Sequence, residues 1–577
     1  MTVTPARVYP WLAAALPVLA AVVVYLPALR NGFIWDDPTV ILQVRAIRSI
    51  GDLVVLPPII PRFYYRPFIF LTYLIDRGLG GETPFWFHAS VIGWHALTTL
   101  LVFILARRLF PGEWLIASGG ALLFATFPTH VESVAWMAGR SDVVVCALVL
   151  LTVLLCMMRE QTWTAWAGGA ALLLATLSKE MAVACVPLVP LMDLMSTRRL
   201  YWSRYVPLLL ATGMYFLLRN HGLGVYVGGL PATAPADELV IDVVRALGFY
   251  LVRTVLPVQL CAYIPDIPQA SLYLTAGFIG PLVALAGIVA CMRRGAWPLA
   301  FLITWFFVTL APSLMVLIRR SASAVVADRY LYVPTVGSCI ALAWALVRLA
   351  ERQHLRPQWP TTAIAVLCLL FSMEVIPYTH NWTDNLTFWT AIAAQQPADA
   401  LPYRAIAEAQ QDAGKLEDAE RSLQRALTAK TDDEGQATTY NNLGNLYRRM
   451  ARYEDALHQF DMAIKIAPHP IFYHNTGMAL MAQIQAEQSH GDQAGVRRDI
   501  VKAREAFEQA LALGATPAAL RAYSEWEPAK THALLAQVLM SLGDRTGARE
   551  HLDTALRLEP TGPVADLVRQ YMRTMPQ

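Results

Sequence analysis

The sequence predicts an all-α protein in two parts: a polytopic helix bundle of about eleven membrane spans, then an α-solenoid of about four helical-hairpin repeats. Three observations carry this. The 577 residues are 56% hydrophobic and only 15% charged, with mean hydropathy +0.42, too apolar for a soluble enzyme of this size. The apolarity is uneven: repeated apolar stretches run from about residue 10 to 377, and Glu, Asp, Arg, Gln and Ala dominate from about 380 onward. The polar end carries small and aromatic residues at a recurring spacing. The expected domains are therefore 1–379 in the bilayer and 380–577 outside it.

Apolar runs long enough to cross a bilayer lie near 10–28, 88–106, 114–127, 142–158, 163–177, 181–196, 204–219, 272–291, 297–312, 331–349 and 361–377. Residues 11–29 lack a basic leader and a small-residue cleavage site, so they read as a retained first span. Residues 242–257 carry Arg245 and Arg253 and read as an interfacial or re-entrant helix. Placing the N-terminus in the cytoplasm gives inner loops holding Arg107, Arg108, Arg159, Arg198, Arg199, Arg204, Arg293, Arg294, Arg348, Arg352 and Arg356, the expected basic excess. Arg45, Arg48, Arg62, Arg66, Arg319 and Arg320 then stand on the outer side, against the rule unless they are held there for a purpose. An odd span count puts the repeats on that outer side too.

A net charge of +3 gives no electrostatic footprint for nucleic acid. Six of the seven cysteines sit in apolar runs, Cys261 lies in a loop, and no CxxC pair exists, so buried hydrophobes are expected rather than disulfides or metal ligands. The outer loops collect the charged oddities: Asp36 and Asp37 in "WDD", "THVESVAWMAGRSD" (129–142), "SKE" (178–180) and "RRSASAVVADRYLY" (319–332). Ions at a membrane edge are costly, and clustered ones mark a working site. The alternative is ordinary loop charge, with the two aspartates a helix cap before Pro38.

In the polar end, Tyr440, Leu443, Gly444, Tyr447, Ala456, Phe460, Ala463 and Pro468 fall at tetratricopeptide positions. The phase recurs at Tyr403, Ala407, Ala419, Leu423 and Ala426, and again at Leu535, Ala536, Ala548, Leu552, Ala555 and Pro560. Between them, Tyr473 and Gly477 open a repeat with an insertion of about fourteen residues near 481–498. Such arrays are strong evidence for fold and bind mostly protein segments.

Most of the chain resembles the transmembrane-and-tetratricopeptide protein O-mannosyltransferases and their bacterial relatives, membrane glycosyltransferases of the GT-C class. The resemblance rests on "GFIWDD" (32–37), "YYRPF" (64–68), "FHASVIGWHAL" (87–97), "LLFATFPTHVESVAWMAGRSDVV" (122–144), "LSKE" (177–180), "VADRYLYVPTVG" (326–337), "NWTDNLTFW" (381–389) and the repeats. Phe127 and Asp328 depart from the family's His and Glu. The family implies an eleven-span GT-C fold, a polyprenyl-phosphate sugar as donor, mannose as the sugar, and an acidic first outer loop in the active site. An acceptor hydroxyl must then lose its proton as it attacks the anomeric carbon, and a carboxylate can take it. A β-linked donor would be inverted by one attack, without a covalent enzyme intermediate.

Asp36 is thus the expected base, with Asp37 orienting the acceptor or pairing with a cation, the two roles being exchangeable. Arg66, Arg140, Lys179 and Arg329 are the expected donor phosphate and sugar contacts, with His130, Glu132, Glu180 and Asp328 in support. Structural ion pairs are the rival reading for Arg329 beside Asp328 and for Lys179 beside Glu180. No cofactor is expected; a divalent ion on His130 and the carboxylates is the lesser alternative, which the mannosyl-phosphate branch does not use. His88 and His95 read as hydrogen-bonded core histidines, and the sequons at Asn381 and Asn385 carry little weight.

The resemblance makes the protein an enzyme that transfers a sugar to Ser or Thr of a protein engaged by the repeats. A transferase acting on lipid or surface polysaccharide differs mainly in acceptor. A non-catalytic assembly factor needs one anchor, not eleven spans. The compact length and the absence of an organelle-retention ending after "TMPQ" lead to a bacterial inner membrane with periplasmic repeats, or else an endoplasmic-reticulum membrane.

Overall fold

The computed structural model describes residues 10–57, 60, 65–158, 161–224, 236–319, 324, 326–490, 493–515 and 526–574. The chain is all-α and falls into two compact units, Met1–Phe388 and Trp389–Gln577.

In the first unit, helices stand at all eleven expected positions. Seven are long and apolar enough to cross a membrane: Trp11–Arg30, Pro84–Leu109, Arg140–Met157, Glu180–Thr197, Ser271–Arg293, Trp297–Ile318 and Trp359–His380. Trp114–Ala125 and Pro128–Val134, bent by 49°, make an eighth if they are one span. The shortfall from eleven has a physical cause in three helices. Thr162–Thr176 has only 15 residues, Trp202–Leu223 contains Arg204 and Arg219, and Thr335–Arg352 ends in Arg348, Glu351 and Arg352. Leu282 and Val283 on Ser271–Arg293 are 68% and 63% exposed, an apolar surface that hydrocarbon, not water, suits. This is a multi-pass membrane protein.

Residues 242–257, expected to lie at the interface or re-enter, belong to a longer helix, Ala236–Val255, packed along Ser271–Arg293. It is not among the seven.

Close helix packing uses small residues. A Cβ on Gly120 would stand 3.0 Å from the Ile340 Cα, which brings Trp114–Ala125 against Thr335–Arg352. These two antiparallel helices place their ends in different company. At one end His130 meets Thr335; at the other Arg348 pairs with Glu113. Thr335 and Arg348 are thirteen residues apart on one helix, a separation of about 20 Å. The His130–Thr335 contact and the Arg348–Glu113 pair therefore lie at opposite ends of this helix pair.

Among the described residues, the second unit contains four antiparallel hairpins and a last helix, Pro563–Thr574. The tetratricopeptide pattern is explained by fit: Gly444 and Gly477 lie where a Cβ would come within 2.5 and 2.6 Å of the Phe460 and Phe507 rings. Asp399, Asp432 and Asp544 cap helices by accepting from the Leu401, Gly435 and Gly547 N–H groups. The insertion near 481–498 is largely helical. It lengthens both arms of the third hairpin, Pro470–His490 and Gln493–Leu513, to 21 residues each.

Candidate active site

The "WDD" stretch leaves the first span through a strained turn. Trp35 has φ +52°, a left-handed conformation that costs a bulky residue about 1–3 kcal/mol and clusters at functional sites. Its ring stacks on Trp136, centroids 5.0 Å apart and planes at 15°. Past this turn the two carboxylates part company. Asp37 is fully buried: one oxygen accepts from the Ile34 N–H at 3.1 Å and the other from the Ala138 N–H at 3.0 Å. Burial pushes its carboxyl up to about 8, against the pull of those two amides. Asp36 is exposed to solvent. The surrounding protein raises its pKa, and the charge of Arg329 opposes that rise.

The cations near this turn alternate with acids. Arg329 pairs with Glu132 through its side chain, and its backbone N–H donates to the other Glu132 oxygen at 2.9 Å. The Arg329 guanidinium lies 5.6 Å from the Trp136 ring, so the Trp35 stack is continuous with the cation whose charge acts on Asp36. Lys179 Nζ donates to Asp142 at 2.5 Å and stands 5.6 Å from the Tyr330 ring. Arg66 grips Glu180 with two N–H groups, at 2.9 and 3.2 Å. Five separate stretches of chain, at 34–37, 66, 132–142, 179–180 and 328–330, thus meet at one end of the bundle. Arg62 and Arg320 lie outside the described residues, and Arg45 pairs at the surface with Glu82.

Tetratricopeptide-repeat models match residues 398–469 and 529–561. Protein O-mannosyl-transferase Tmtc1 of Drosophila melanogaster is 33% identical over 189 residues, 30% of this chain and 22% of that protein. Protein O-mannosyl-transferase Tmtc3 of the same organism is 22% identical over 558 residues, covering 78% of this chain and 58% of that protein. This chain is thus similar to protein O-mannosyl-transferases over part of their length. It spans about a fifth of the length of Tmtc1 and somewhat over half that of Tmtc3. Among solved structures, ArnT from Cupriavidus metallidurans bound to undecaprenyl phosphate overlaps 77% of the chain and 80% of its own length, with TM-score 0.39 and 17% identity.

The other expected site residues divide by accessibility. Arg140 is 0% exposed and committed: it pairs with Asp76 at 2.5 Å, donates to Thr72 Oγ1 at 3.2 Å and to the Phe87 carbonyl at 2.7 Å, and lies over the Tyr73 ring. Its Nη groups are thus occupied within the protein, a setting that its glycine and serine neighbours did not suggest. Asp328 pairs with Arg253 at 3.0 Å and accepts from the Cys261 N–H at 3.3 Å, which makes it a brace rather than the partner of the adjacent Arg329. His130 is buried among Phe124, Phe127 and Tyr332, with Nε2 2.8 Å from Thr335 Oγ1. Among the described residues, no three His, Cys, Asp or Glu side chains converge as metal ligands. His88 and His95 are buried and bonded to the Gly32 carbonyl and to Tyr332 and Ala125.

Four residues with structural parts in the site were not singled out from sequence: Asp76, Asp142, Arg253 and Trp136. Asp142 and Trp136 stood inside the "THVESVAWMAGRSD" block, and Arg253 interrupted an apolar run. Asp76, in a helix of mixed character, gave no signal.

Proposed function

We propose that the chain is a GT-C-type glycosyltransferase of eleven spans that moves mannose from a polyprenyl phosphate to a Ser or Thr hydroxyl of a protein. The observation that carries this reading is the difference between the two aspartates. Asp36 is exposed and within the electrostatic reach of Arg329, whereas Asp37 has both oxygens occupied by backbone amides. Relatedness to the protein O-mannosyl-transferases supports the reaction class.

The acceptor oxygen attacks the anomeric carbon as its proton passes to an Asp36 oxygen. A C–O bond forms on one face of the sugar while the bond to phosphate breaks on the other. The polyprenyl phosphate leaves with that electron pair and one more negative charge. Arg329 and Arg66, the expected phosphate contacts with the most accessible guanidinium groups, would stabilise it by exchanging a carboxylate partner for a phosphate oxygen. Lys179 is held closer in by Asp142 and would contribute mainly through its charge. Asp37 ties the "WDD" turn to Ala138 and so orients the base, and Arg140 holds the helix ends beneath it.

In this reading residues 1–379 are the catalytic domain and 380–577 engage the acceptor protein. The cell location that fits is a bacterial inner membrane with the repeats in the periplasm. The test uses the purified full chain, a sugar-labelled polyprenyl phosphate mannose and a Ser/Thr-rich protein acceptor. Label in protein that is released by β-elimination is the expected result. Label appearing only in lipid or polysaccharide from added membranes would mean the other acceptor class, and none anywhere would remove the reading.

A further inference from the structure

The stretch "NWTDNLTFW" lies against the "WDD" turn. The Gly32 N–H donates to the Thr383 carbonyl at 2.8 Å, and the Trp35 N–H donates to Asn385 Oδ1 at 2.8 Å. Aromatic contacts flank these bonds. Phe388 stands 5.6 Å from the Trp35 ring, and the fully buried Trp382 stands 6.2 Å from Trp136, the ring on which Trp35 stacks. Asp384 caps the helix that Asn385 opens by accepting from the Thr387 N–H at 2.8 Å. Asn385 is therefore held from its own side, and its amide is a fixed acceptor at the one residue of the turn that has left-handed backbone.

The choice of asparagine has a chemical reason. A backbone N–H can only donate, so the side-chain atom opposite it must be the carbonyl oxygen. A residue held in the left-handed region needs such outside support, because its own backbone geometry favours relaxation. If Trp35 relaxed, the peptide planes that follow would rotate, and the carboxylate pointing out would no longer be that of Asp36.

We infer that Asn385 is a positioning residue for Asp36: through the Trp35 N–H it holds the turn that sends one carboxylate outward and the other inward. This rests on the reading of Asp36 as general base. It also gives the sequence joining the last span to the repeats a task inside the catalytic unit.

The test measures pH–rate profiles of the purified full chain with polyprenyl phosphate mannose and a Ser/Thr-rich acceptor. Asn385→Ala removes the acceptor, so kcat should fall roughly tenfold, the scale of one such hydrogen bond, with the donor KM unchanged. Asn385→Asp keeps the acceptor and adds a negative charge beside Asp36, so it should retain turnover on the plateau while its acid limb moves to higher pH. If Asn385→Ala does not fold, Asn385→Asp decides: a shifted limb supports the assignment and an unmoved one overturns it. Wild-type kcat in Asn385→Ala also overturns it. Asp36→Asn in the same assay separates the two failures. Normal turnover there removes the base reading itself, whereas an inactive Asp36→Asn beside indifferent Asn385 variants removes only the assignment of Asn385.

Discussion

Asp36 and Asp37 are neighbours in the chain and opposites in environment: Asp36 is exposed and feels the charge of Arg329, and Asp37 is sealed in with the Ile34 and Ala138 N–H groups on its two oxygens. A pair of adjacent acids at a membrane edge is thereby divided between a group free to accept a proton and one that fixes the turn.

The pH dependence follows from this division. Surrounding protein raises the Asp36 pKa and the Arg329 charge opposes it. In the proposed reaction the base works ionised, so activity should rise with pH as Asp36 loses its proton. Arg329→Gln removes the opposing charge, raises the folded-state pKa further and should move the acid limb to higher pH. An acid limb that stays in place, or moves down, in the purified variant contradicts this electrostatic arrangement.

Arg66 and Arg329 should matter for donor affinity where Arg140 does not. Arg66 holds Glu180 in a guanidinium fork that a phosphate can replace, and Arg329 holds Glu132 through its guanidinium and its backbone N–H. Lysine keeps the charge and loses the fork, so Arg66→Lys should still weaken donor binding, measured by titration of the lipid phosphate into detergent-solubilised protein. Undiminished affinity in both Arg66→Ala and Arg329→Ala would exclude them as phosphate contacts.

Arg140→Ala should act on folding instead. It would leave the Asp76 carboxylate unpaired in a nearly closed site, a loss of about 3–5 kcal/mol. The check is the thermal midpoint of the purified protein against an Arg140→Met, Asp76→Leu double variant, which removes both charges and should recover much of the loss.

The repeats offer a separate test of packing. Gly444→Val would drive side-chain atoms into the Phe460 ring, and overpacking of this kind costs about 1–3 kcal/mol. Circular dichroism should show an earlier melt of the second unit. An unchanged melt would mean that the hairpin spacing at Gly444 adjusts freely.

Much of this was legible in the chain. Apolar runs and repeat phase are local properties, so helices stand where both predicted them. The span count was less legible because Arg204, Arg219 and Arg348 sit at positions whose burial depends on partners elsewhere, such as Asp193 and Glu113. In the site, the residue types were readable and their pairing was not. Arg329 adjoins Asp328 in sequence but pairs with Glu132, 197 residues away, while Asp328 takes Arg253, 75 residues away. Such pairings are set by how helices cross, which no local spacing records. The same holds for Asp37, whose commitment to Ala138 bridges 101 residues.

The central claim is that Asp36 takes the acceptor proton. It is tested most directly by single-turnover transfer from polyprenyl phosphate mannose with Asp36→Asn, a change that preserves shape and removes the base. General-base assistance is worth on the order of 10²–10⁴ in rate, so transfer should slow by that factor while donor binding stays at the wild-type level. Transfer at the wild-type rate by folded Asp36→Asn protein would contradict the account.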